Sequence, residues 1–180
     1  SSEEGHIVNT SSINGFWASL GGTPHTSYSA AKFAVKGFSE ALIDDLRVNA
    51  PHVNVSVVMP GHIGTSIAEN TGKILGGKRT EEDLEKIKEN MIKMGLPVHN
   101  FSPEQIEQQI KENAEAFKNN APTTSAQAAE IILSAVKRKE WRILVGDDAK
   151  AIDEWVRGAP EDAYNISFNG ERRENIDENV

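Results

Sequence analysis

The sequence predicts an α/β fold with a parallel sheet, because strand-like segments alternate with helical ones. Three short β-rich segments stand out, at His6–Thr10, Val53–Met59 and Trp141–Val145. Between the first two, apolar residues recur at three- and four-residue steps from Tyr28 to Val48, which is typical of a helix. A strand, a long helix and a second strand form a βαβ unit, in which the strands are parallel and the crossover is right-handed.

The helices predicted after the second strand have clear start signals. Thr80 precedes three acids, which favour a helix N-terminus. The segment Ser102–Gln105 combines a capping serine, a proline at the first helical position and a glutamine at the capping-box position. A third helix is predicted from Ser125 to Lys139, directly before the last strand. Two amphipathic helices therefore lie where an α/β enzyme carries its lid.

These segments divide the chain into four parts. Residues 1–65 are predicted to form a catalytic βαβ core, 66–122 a helical substrate lid, 123–146 the final helix–strand pair and 147–180 an acidic C-terminal extension. The extension contains four cations and ten acids, and so supplies −6 of the net charge of −8. We interpret it as a solvated surface or tail with a short helix around Ile152–Val156.

The composition excludes several classes of protein. With 19 Lys and Arg against 27 Asp and Glu, the chain lacks the excess positive charge typical of nucleic-acid binding. The absence of cysteine excludes disulfides and thiolate metal sites, and the five histidines are scattered, so we expect no metal. No apolar segment approaches the roughly 18 residues of a membrane span. No signal sequence opens the chain, and we therefore predict a cytoplasmic protein.

Three segments carry residues of chemical interest. Ser11-Ser12-Ile13-Asn14-Gly15 follows the first strand, and Pro60-Gly61-His62-Ile63-Gly64-Thr65 follows the second. Tyr28-Ser29-Ala30-Ala31-Lys32 opens the long helix. Since the carboxyl ends of parallel strands meet at the ligand-binding edge of a sheet, we expect the first two segments to lie close together.

Tyr28 and Lys32 are spaced to share one face of a helix, about 5–6 Å apart between Cβ atoms. A phenol is a poor acid or base at neutral pH, but a nearby ammonium group favours its ionised form. The pair is therefore typical of a tyrosine that exchanges a proton, and a hydroxyl such as that of Ser12 can bind a substrate oxygen. Each feature alone also fits a structural role, such as a ring packed against a lysine stem.

In this order and on these elements, the three segments resemble the short-chain dehydrogenase/reductase family, whose hallmark is a Ser, a Tyr-x-x-x-Lys and a Pro-Gly-x-x-x-Thr. The resemblance covers Gly5 to Thr65 and is only topological beyond. It implies a Rossmann-like doubly wound parallel sheet and NAD or NADP as cofactor, without indicating which. It also implies N-terminal strands and a glycine-rich dinucleotide loop before Ser1, so we expect a partial domain, whose activity on its own is an open question.

The resemblance also implies roles for individual residues. Tyr28 would donate or accept the proton, Lys32 would favour its ionised form and bind the nicotinamide ribose, and Ser12, with Ser11 as the alternative, would polarise the substrate carbonyl. Thr65 would bind the carboxamide of the nicotinamide. The residues expected to contact the cofactor are Tyr28, Lys32, Pro60, Gly61, Ile63 and Thr65.

The spacing from Ser12 to Tyr28, at 16 residues, is longer than expected for the family, and Phe16–Gly22 is predicted to form the extra loop. Five side chains beside the expected site are candidate substrate contacts: Asn14, Phe16, Trp17, His25 and His62. For the two aromatic residues, hydrophobic packing beneath the lid is an equal alternative. For the two histidines, the equal alternative is a solvated position in a loop.

The sequence favours an oxidoreductase that interconverts a small or medium, largely apolar alcohol and its ketone. The chain is then expected to form a homodimer or homotetramer through the Tyr28–Val48 helix. Two alternatives stay open: a non-catalytic fragment or pseudoenzyme that dimerises through this helix, and a sugar epimerase or dehydratase of the related extended family, which shares Tyr-x-x-x-Lys. The Pro-Gly-x-x-x-Thr segment and the small lid favour the short-chain kind.

Overall fold

A computed structural model describes residues 3–18, 25–75, 79–93 and 95–165. The chain divides into two compact units, one formed by Ser1–His62 with Ala126–Val180 and the other by Ile63–Ser125. Two predictions fall partly outside the described residues: the end of the loop Phe16–Gly22, and residues 166–180 of the acidic extension.

The elements follow one another in the alternation that the sequence predicts. In chain order they are β1 (Gly5–Thr10), α1 (Thr26–Asn49), β2 (Val53–Pro60), β3 (Ile63–Gly64), α2 (Ile67–Leu75), α3 (Glu81–Lys93), α4 (Pro103–Asn119), β4 (Thr123–Thr124), α5 (Ser125–Lys137), β5 (Arg142–Val145) and α6 (Asp147–Gly158), with short 3-10 helices at Ile13–Gly15 and Pro160–Asp162.

The first unit is built on a parallel sheet with the strand order β1-β2-β5. The central strand β2 is rich in β-branched residues, and its side chains from Val55 to Met59 are buried, as expected for a strand covered on both faces. Thr10 pairs with Val58, and Pro60 pairs with Val145, so the carboxyl ends of the three strands meet at one edge. The predicted α/β fold with a parallel sheet is confirmed.

Helix α6 packs into the core, and this corrects the interpretation of its segment as a solvated tail. Ala149 and Ile152 are buried in a cluster with Ile13 and Trp17. Residues three and four positions apart lie on the same side of a helix, so Ala149 and Ile152 form an apolar face although α6 is rich in acids. The acidic composition made this face hard to recognise in the sequence. The helix runs from Asp147 to Gly158, and so is longer than the short one predicted.

Helix α1 has two apolar faces, of which the sheet covers one. Ser29 and Ser39 are buried on the covered side, and the Ser39 hydroxyl accepts a hydrogen bond from Asn9 Nδ2 of β1 at 3.0 Å. Phe33 and Phe38, in contrast, are exposed. The apolar periodicity of the sequence predicts the helix correctly but does not separate these two faces.

The second unit contains three helices rather than the two predicted, because Ile67–Leu75 also forms a helix, α2. Its core joins α3 and α4 through Leu84, Met91, Val98 and Ile106. The capping box at the start of α4 is confirmed, since the side chains and backbone amides of its two residues bond reciprocally. The role of this unit as a substrate lid stays a prediction. Among the described residues, no helix is both long and apolar enough to cross a membrane.

Candidate active site

Tyr28 and Lys32 lie one turn apart at the start of α1, as their spacing predicts. The Lys32 ammonium lies 5.6 Å from the centroid of the Tyr28 ring. It also donates a hydrogen bond to the carbonyl oxygen of Thr10, at 3.1 Å, and Thr10 is the last residue of β1. Tyr28 is 40% exposed, so its hydroxyl-bearing ring is open to a ligand. The pair therefore lies at the carboxyl end of β1.

A second hydrogen bond ties the end of β1 to α1. The Ser11 hydroxyl donates to the carbonyl oxygen of Lys32 at 2.7 Å, and Ser11 is buried. Together with the bond from Lys32 to Thr10, this fixes the position of Lys32 from both its backbone and its side chain. The Ser12 hydroxyl also has a partner, because it donates to Asn14 Oδ1 at 3.5 Å, so Ser12 as the substrate-binding residue, with Ser11 as the alternative, stays a prediction.

Ser12 begins a chain of buried polar groups that leads to α1. The backbone N–H of Asn14 donates to the Ser12 hydroxyl at 3.2 Å, and the Asn14 amide donates to the Ser29 hydroxyl at 3.4 Å. Ser29 follows Tyr28 directly in the sequence. Asn14 is only 1% exposed, so the structure places it behind Ser12 rather than on an open surface. It orients Ser12, and its predicted contact with substrate stays a prediction.

The two aromatic candidates pack against the C-terminal part of the same unit. Trp17 is fully buried, its Nε1 donates to the carbonyl oxygen of Ala163 at 2.7 Å, and its ring meets Trp155 edge to face at 5.4 Å. Trp17 thus belongs to the core and offers no exposed surface to a substrate, which corrects its prediction as a substrate contact. It packs in the core as the alternative predicted, but the element that covers it is α6 and not the lid. Phe16 is half-buried under the guanidinium group of Arg142, 5.7 Å from its ring centroid.

The two histidines occupy different environments. His25 is exposed directly before α1, and its ring centroid lies 6.4 Å from that of Tyr28. His62 is half-buried, and its backbone N–H donates to Asp148 Oδ2 at 2.6 Å. The structure therefore places the His25 ring next to the candidate acid–base residue, whereas His62 is held through its backbone.

The loop after β2 lies beside the start of α6. The Gly61 N–H donates to the carbonyl oxygen of Val145 at 2.9 Å, which continues the pairing of β2 with β5. A Cβ on Gly61 would overlap the carboxyl group of Asp148, so this position requires glycine. Pro60 and Gly61 are thus fixed at the carboxyl end of the central strand. Sequence reasoning missed Asp148, although its place just after the adjacent strand was an available signal.

Two predicted cofactor contacts belong to the second unit. Ile63 lies in β3, and the backbone N–H of Thr65 donates to the Ile63 carbonyl oxygen at 2.8 Å. Both are half-buried. Their contacts with a cofactor stay predictions.

The residues of the first unit fit the nicotinamide end of a dinucleotide. Lys32 offers an ammonium donor at the carboxyl end of β1, and Gly61 offers a close-packed backbone without a side chain at the end of the neighbouring strand β2. This edge of a parallel sheet is where dinucleotides bind. Within the described residues no group of three His, Asp or Glu side chains is placed to hold a metal ion.

Comparison with known proteins finds similarity to short-chain dehydrogenases. The family model described as short chain dehydrogenase matches residues 1–75. SadH of Mycobacterium tuberculosis is 35% identical over 156 residues, which are 87% of this chain and 45% of that protein. The 3-ketodihydrosphingosine reductase of Bacteroides thetaiotaomicron is 45% identical over 67 residues, 37% of this chain and 23% of that protein. The chain is therefore similar to short-chain dehydrogenases, over residues 1–75 by the family model and over most of its length by SadH.

A solved structure has the same fold. The short-chain dehydrogenase/reductase of Burkholderia phymatum, determined in complex with NAD, matches with a TM-score of 0.58 at 21% sequence identity. The match covers 97% of this chain and 52% of that one. The chain therefore corresponds to about half the length of these proteins or less, and it has the Rossmann-like α/β fold of the solved structure.

Proposed function

We propose that the chain carries the catalytic centre of an NAD- or NADP-dependent oxidoreductase that interconverts an alcohol and a ketone, with Tyr28 as the general acid and base. The observation that carries the proposal is the Tyr28–Lys32 pair, held at the carboxyl end of β1 with the ammonium group 5.6 Å from the ring centroid. The similarity to short-chain dehydrogenases over residues 1–75, which include this pair, supports it.

The chain's own residues would divide the work as follows. Tyr28 would hold a proton at its phenolic oxygen and exchange it with the substrate oxygen, with the Lys32 ammonium group beside its ring. The Ser12 hydroxyl, oriented by Asn14, would donate to the same substrate oxygen as negative charge develops there. When bound, a nicotinamide group supplies the hydride chemistry, and Lys32, Pro60, Gly61, Ile63 and Thr65 would be the residues that hold it.

Aromatic side chains near Tyr28 and after Ser12 support the substrate class that the sequence predicts. His25 and the partly exposed ring of Tyr28 offer an aromatic edge, and Phe16 lies half-buried in the turn after Ser12. We infer a small or medium, largely apolar alcohol or ketone. The cytoplasmic location expected from the sequence stays a prediction.

Replacing Tyr28 with phenylalanine tests the proposal in the natural protein that contains this chain at full length. Since a general acid–base group contributes about 10²–10⁴-fold to a rate, we expect kcat/KM for nicotinamide-dependent ketone reduction to fall at least about 100-fold in Tyr28→Phe, with an unchanged circular dichroism spectrum.

The matched control for this experiment is the second of the two tyrosines in the sequence. Tyr164→Phe removes a hydroxyl that accepts a hydrogen bond from the Ala18 N–H at 3.1 Å, and we expect it to keep most of the activity. A Tyr28→Phe protein as active as Tyr164→Phe contradicts the assignment of Tyr28.

The non-catalytic alternative is favoured by one observation, the exposed apolar residues Phe33 and Phe38 on α1. A chain that acts only as a partner-binding module would keep this surface but bind no dinucleotide. Fluorescence titration of the 180-residue chain with NADH and NADPH tests this polypeptide: saturable binding favours the catalytic function, and its absence favours a non-catalytic fragment without bearing on the function of the full-length protein.

A further inference from the structure

Asp148 contacts the loop after β2, and none of the roles described above accounts for this contact. The ladder between β2 and β5 ends where Pro60 pairs with Val145, and one more backbone bond joins Gly61 to the Val145 carbonyl. The next backbone N–H, that of His62, is bound not by a strand but by Asp148 Oδ2 at 2.6 Å. A side chain therefore continues the hydrogen bonding of the sheet by one residue.

The contact is built from both sides. Gly61 has no side chain, and the Asp148 carboxyl group fills the space that a Cβ on Gly61 would occupy. On the other side, Gly146 has a φ of 103°, a conformation that favours glycine, and this turn takes the chain from β5 into α6. Ala149, next to Asp148, is fully buried. The carboxyl group is thus held by a packed helix start.

Stability alone does not explain this arrangement. Asp148 Oδ1 is buried and has no hydrogen-bond partner in the part of the chain that the structure describes. A buried polar atom without a partner costs free energy, and such atoms in native structures call for a specific explanation.

We propose that Asp148 is a positioning residue, which holds the Gly61–His62 peptide in the conformation that contacts the nicotinamide group. The proposal rests on the function proposed above, because it is the Pro60–Gly61 loop that would line the cofactor. Asp148 itself acts through the backbone of the loop. Removing the carboxyl group should loosen the loop and weaken dinucleotide binding, with the sheet and α6 retained.

Asp147 provides a matched control on the same turn of α6. Both acids lie in the first turn, where negative charge stabilises the N-terminus of a helix. The Asp147 side chain is exposed and pairs with Lys150 at 2.9 Å. Asp147→Ala therefore removes a charge from the helix start without touching the loop, whereas Asp148→Ala removes both the charge and the bond to His62.

Amide hydrogen exchange, resolved at His62 by NMR in the 180-residue chain, tests the positioning contact directly. A lost hydrogen bond to a charged acceptor is expected to speed exchange about tenfold or more. We expect that acceleration at His62 in Asp148→Ala, and rates within about threefold of wild type in Asp147→Ala and in Asp148→Asn, whose amide oxygen can still accept the bond. Unchanged exchange at His62 in a folded Asp148→Ala chain overturns the proposal.

A measurement on the wild-type chain covers the case in which Asp148→Ala does not fold. A hydrogen-bond scalar coupling between the His62 amide nitrogen and the Asp148 carboxyl carbon reports the contact without any substitution. Its presence supports the proposal, and its absence overturns it.

Dinucleotide affinity separates this proposal from the proposed function. In the natural full-length protein, we expect the Kd for NADH or NADPH to rise about tenfold in Asp148→Ala and to change less than about twofold in Asp147→Ala. A wild-type protein that binds neither dinucleotide contradicts the proposed function. A wild-type protein that binds, with Asp148→Ala binding equally well, contradicts the positioning role alone.

Discussion

Gly15 marks the point at which the turn after β1 comes closest to α1. A Cβ at this position would overlap the Ser11 hydroxyl and lie 2.9 Å from the carbonyl oxygen of Lys32. These are the two atoms that form the hydrogen bond between the turn and the helix. The glycine therefore lets the candidate serine segment and the Tyr28–Lys32 helix pack closely enough to share one site.

Replacing Gly15 with alanine should destabilise the chain by about 1–3 kcal/mol, because the added methyl group must displace the Ser11–Lys32 contact. Gly37 is the control, since it lies within α1 with no atom near its missing Cβ. Gly37→Ala should raise the free energy of unfolding by up to about 1 kcal/mol. Urea unfolding measures both, and a Gly15→Ala chain as stable as wild type contradicts the close packing.

The sequence predicts the residues of the candidate site that lie in local patterns. Tyr28 and Lys32 are recognised because four residues make one helical turn, and the structure places them as expected. The place of Asp148 directly after β5 is visible in the sequence, but its contact with His62 spans 86 positions of the chain, and no local spacing encodes that contact. Trp17 is uncertain from sequence for the same reason, since its cover comes from α6.

At the scale of elements, a buried ion pair fastens α6 to β5. The Asp153 carboxyl group is 1% exposed and pairs with Arg142 of β5 and, at 2.9 Å, with Arg157. Hydrogen bonding to the Arg142 guanidinium lowers the pKa of Asp153 below its usual value, against the opposing effect of burial. The same Arg142 lies over the ring of Phe16, so the ion pair is also in contact with the turn that carries Ser12.

Asp153→Asn should cost about 3 kcal/mol at neutral pH, because it leaves the partly buried Arg142 without its counter-charge. A carboxyl group whose pKa is lower in the folded state stabilises the fold above its unfolded pKa, and that stabilisation is lost as pH falls through the folded value. The wild-type chain should therefore lose stability below about pH 4, in part through Asp153.

Glu154→Gln is the control for that experiment, since Glu154 is exposed on the same helix. Urea unfolding at neutral pH and at about pH 3 measures the difference for all three proteins. We expect a smaller loss on acidification in Asp153→Asn than in either of the others. An equal loss in Asp153→Asn and wild type contradicts a stabilising role for the ionised carboxyl group.

Local start signals account for part of the helix prediction. The capping box before α4 is read from four consecutive residues, and the structure contains it. Helix α2 also has a start signal, Ser66 followed three residues later by Glu69, which the sequence analysis did not use. In α6, the acidic residues make the apolar face that carries Ala149 and Ile152 hard to recognise. The buried face of α6 packs against the turn around Ile13 and Trp17, and this turn is distant from α6 along the sequence.

At the scale of the whole molecule, the outer face of α1 is apolar and exposed. Phe38 is 62% exposed, and Phe33 and Val48 are exposed on the same helix. Apolar surface of this kind is typical of protein interfaces. We infer that a second copy of the protein covers it, as the sequence predicts for this helix.

Phe38→Ser should shift the natural protein from an oligomer towards the monomer, because it removes an aromatic side chain from that interface. Leu133→Ser is the control, since Leu133 is about equally exposed, at 60%, on another helix. Sedimentation equilibrium measures the association constant for each. A wild-type protein that is monomeric at all concentrations, or a Phe38→Ser protein that associates as tightly as wild type, contradicts the interface.

The overall architecture follows from the order of the strands and helices, which the sequence shows plainly. The alternation from β1 through α1 to β2 predicts the parallel sheet, and the structure confirms it. The division at Ile63 and Ser125 lies within three residues of the predicted limits of the lid, 66–122. The sequence carries less information about which helix faces are covered, because that depends on segments distant along the chain.

The most direct test of the proposed chemistry is to follow the hydride itself. The natural full-length protein is incubated with an apolar ketone and a nicotinamide cofactor doubly deuterated at C4, and the alcohol formed is analysed by mass spectrometry. We expect one deuterium at the carbinol carbon of the product with wild type, and a rate at least about 100-fold lower with Tyr28→Phe. Alcohol formed without deuterium, or labelled equally fast by Tyr28→Phe, would contradict hydride transfer assisted by this tyrosine.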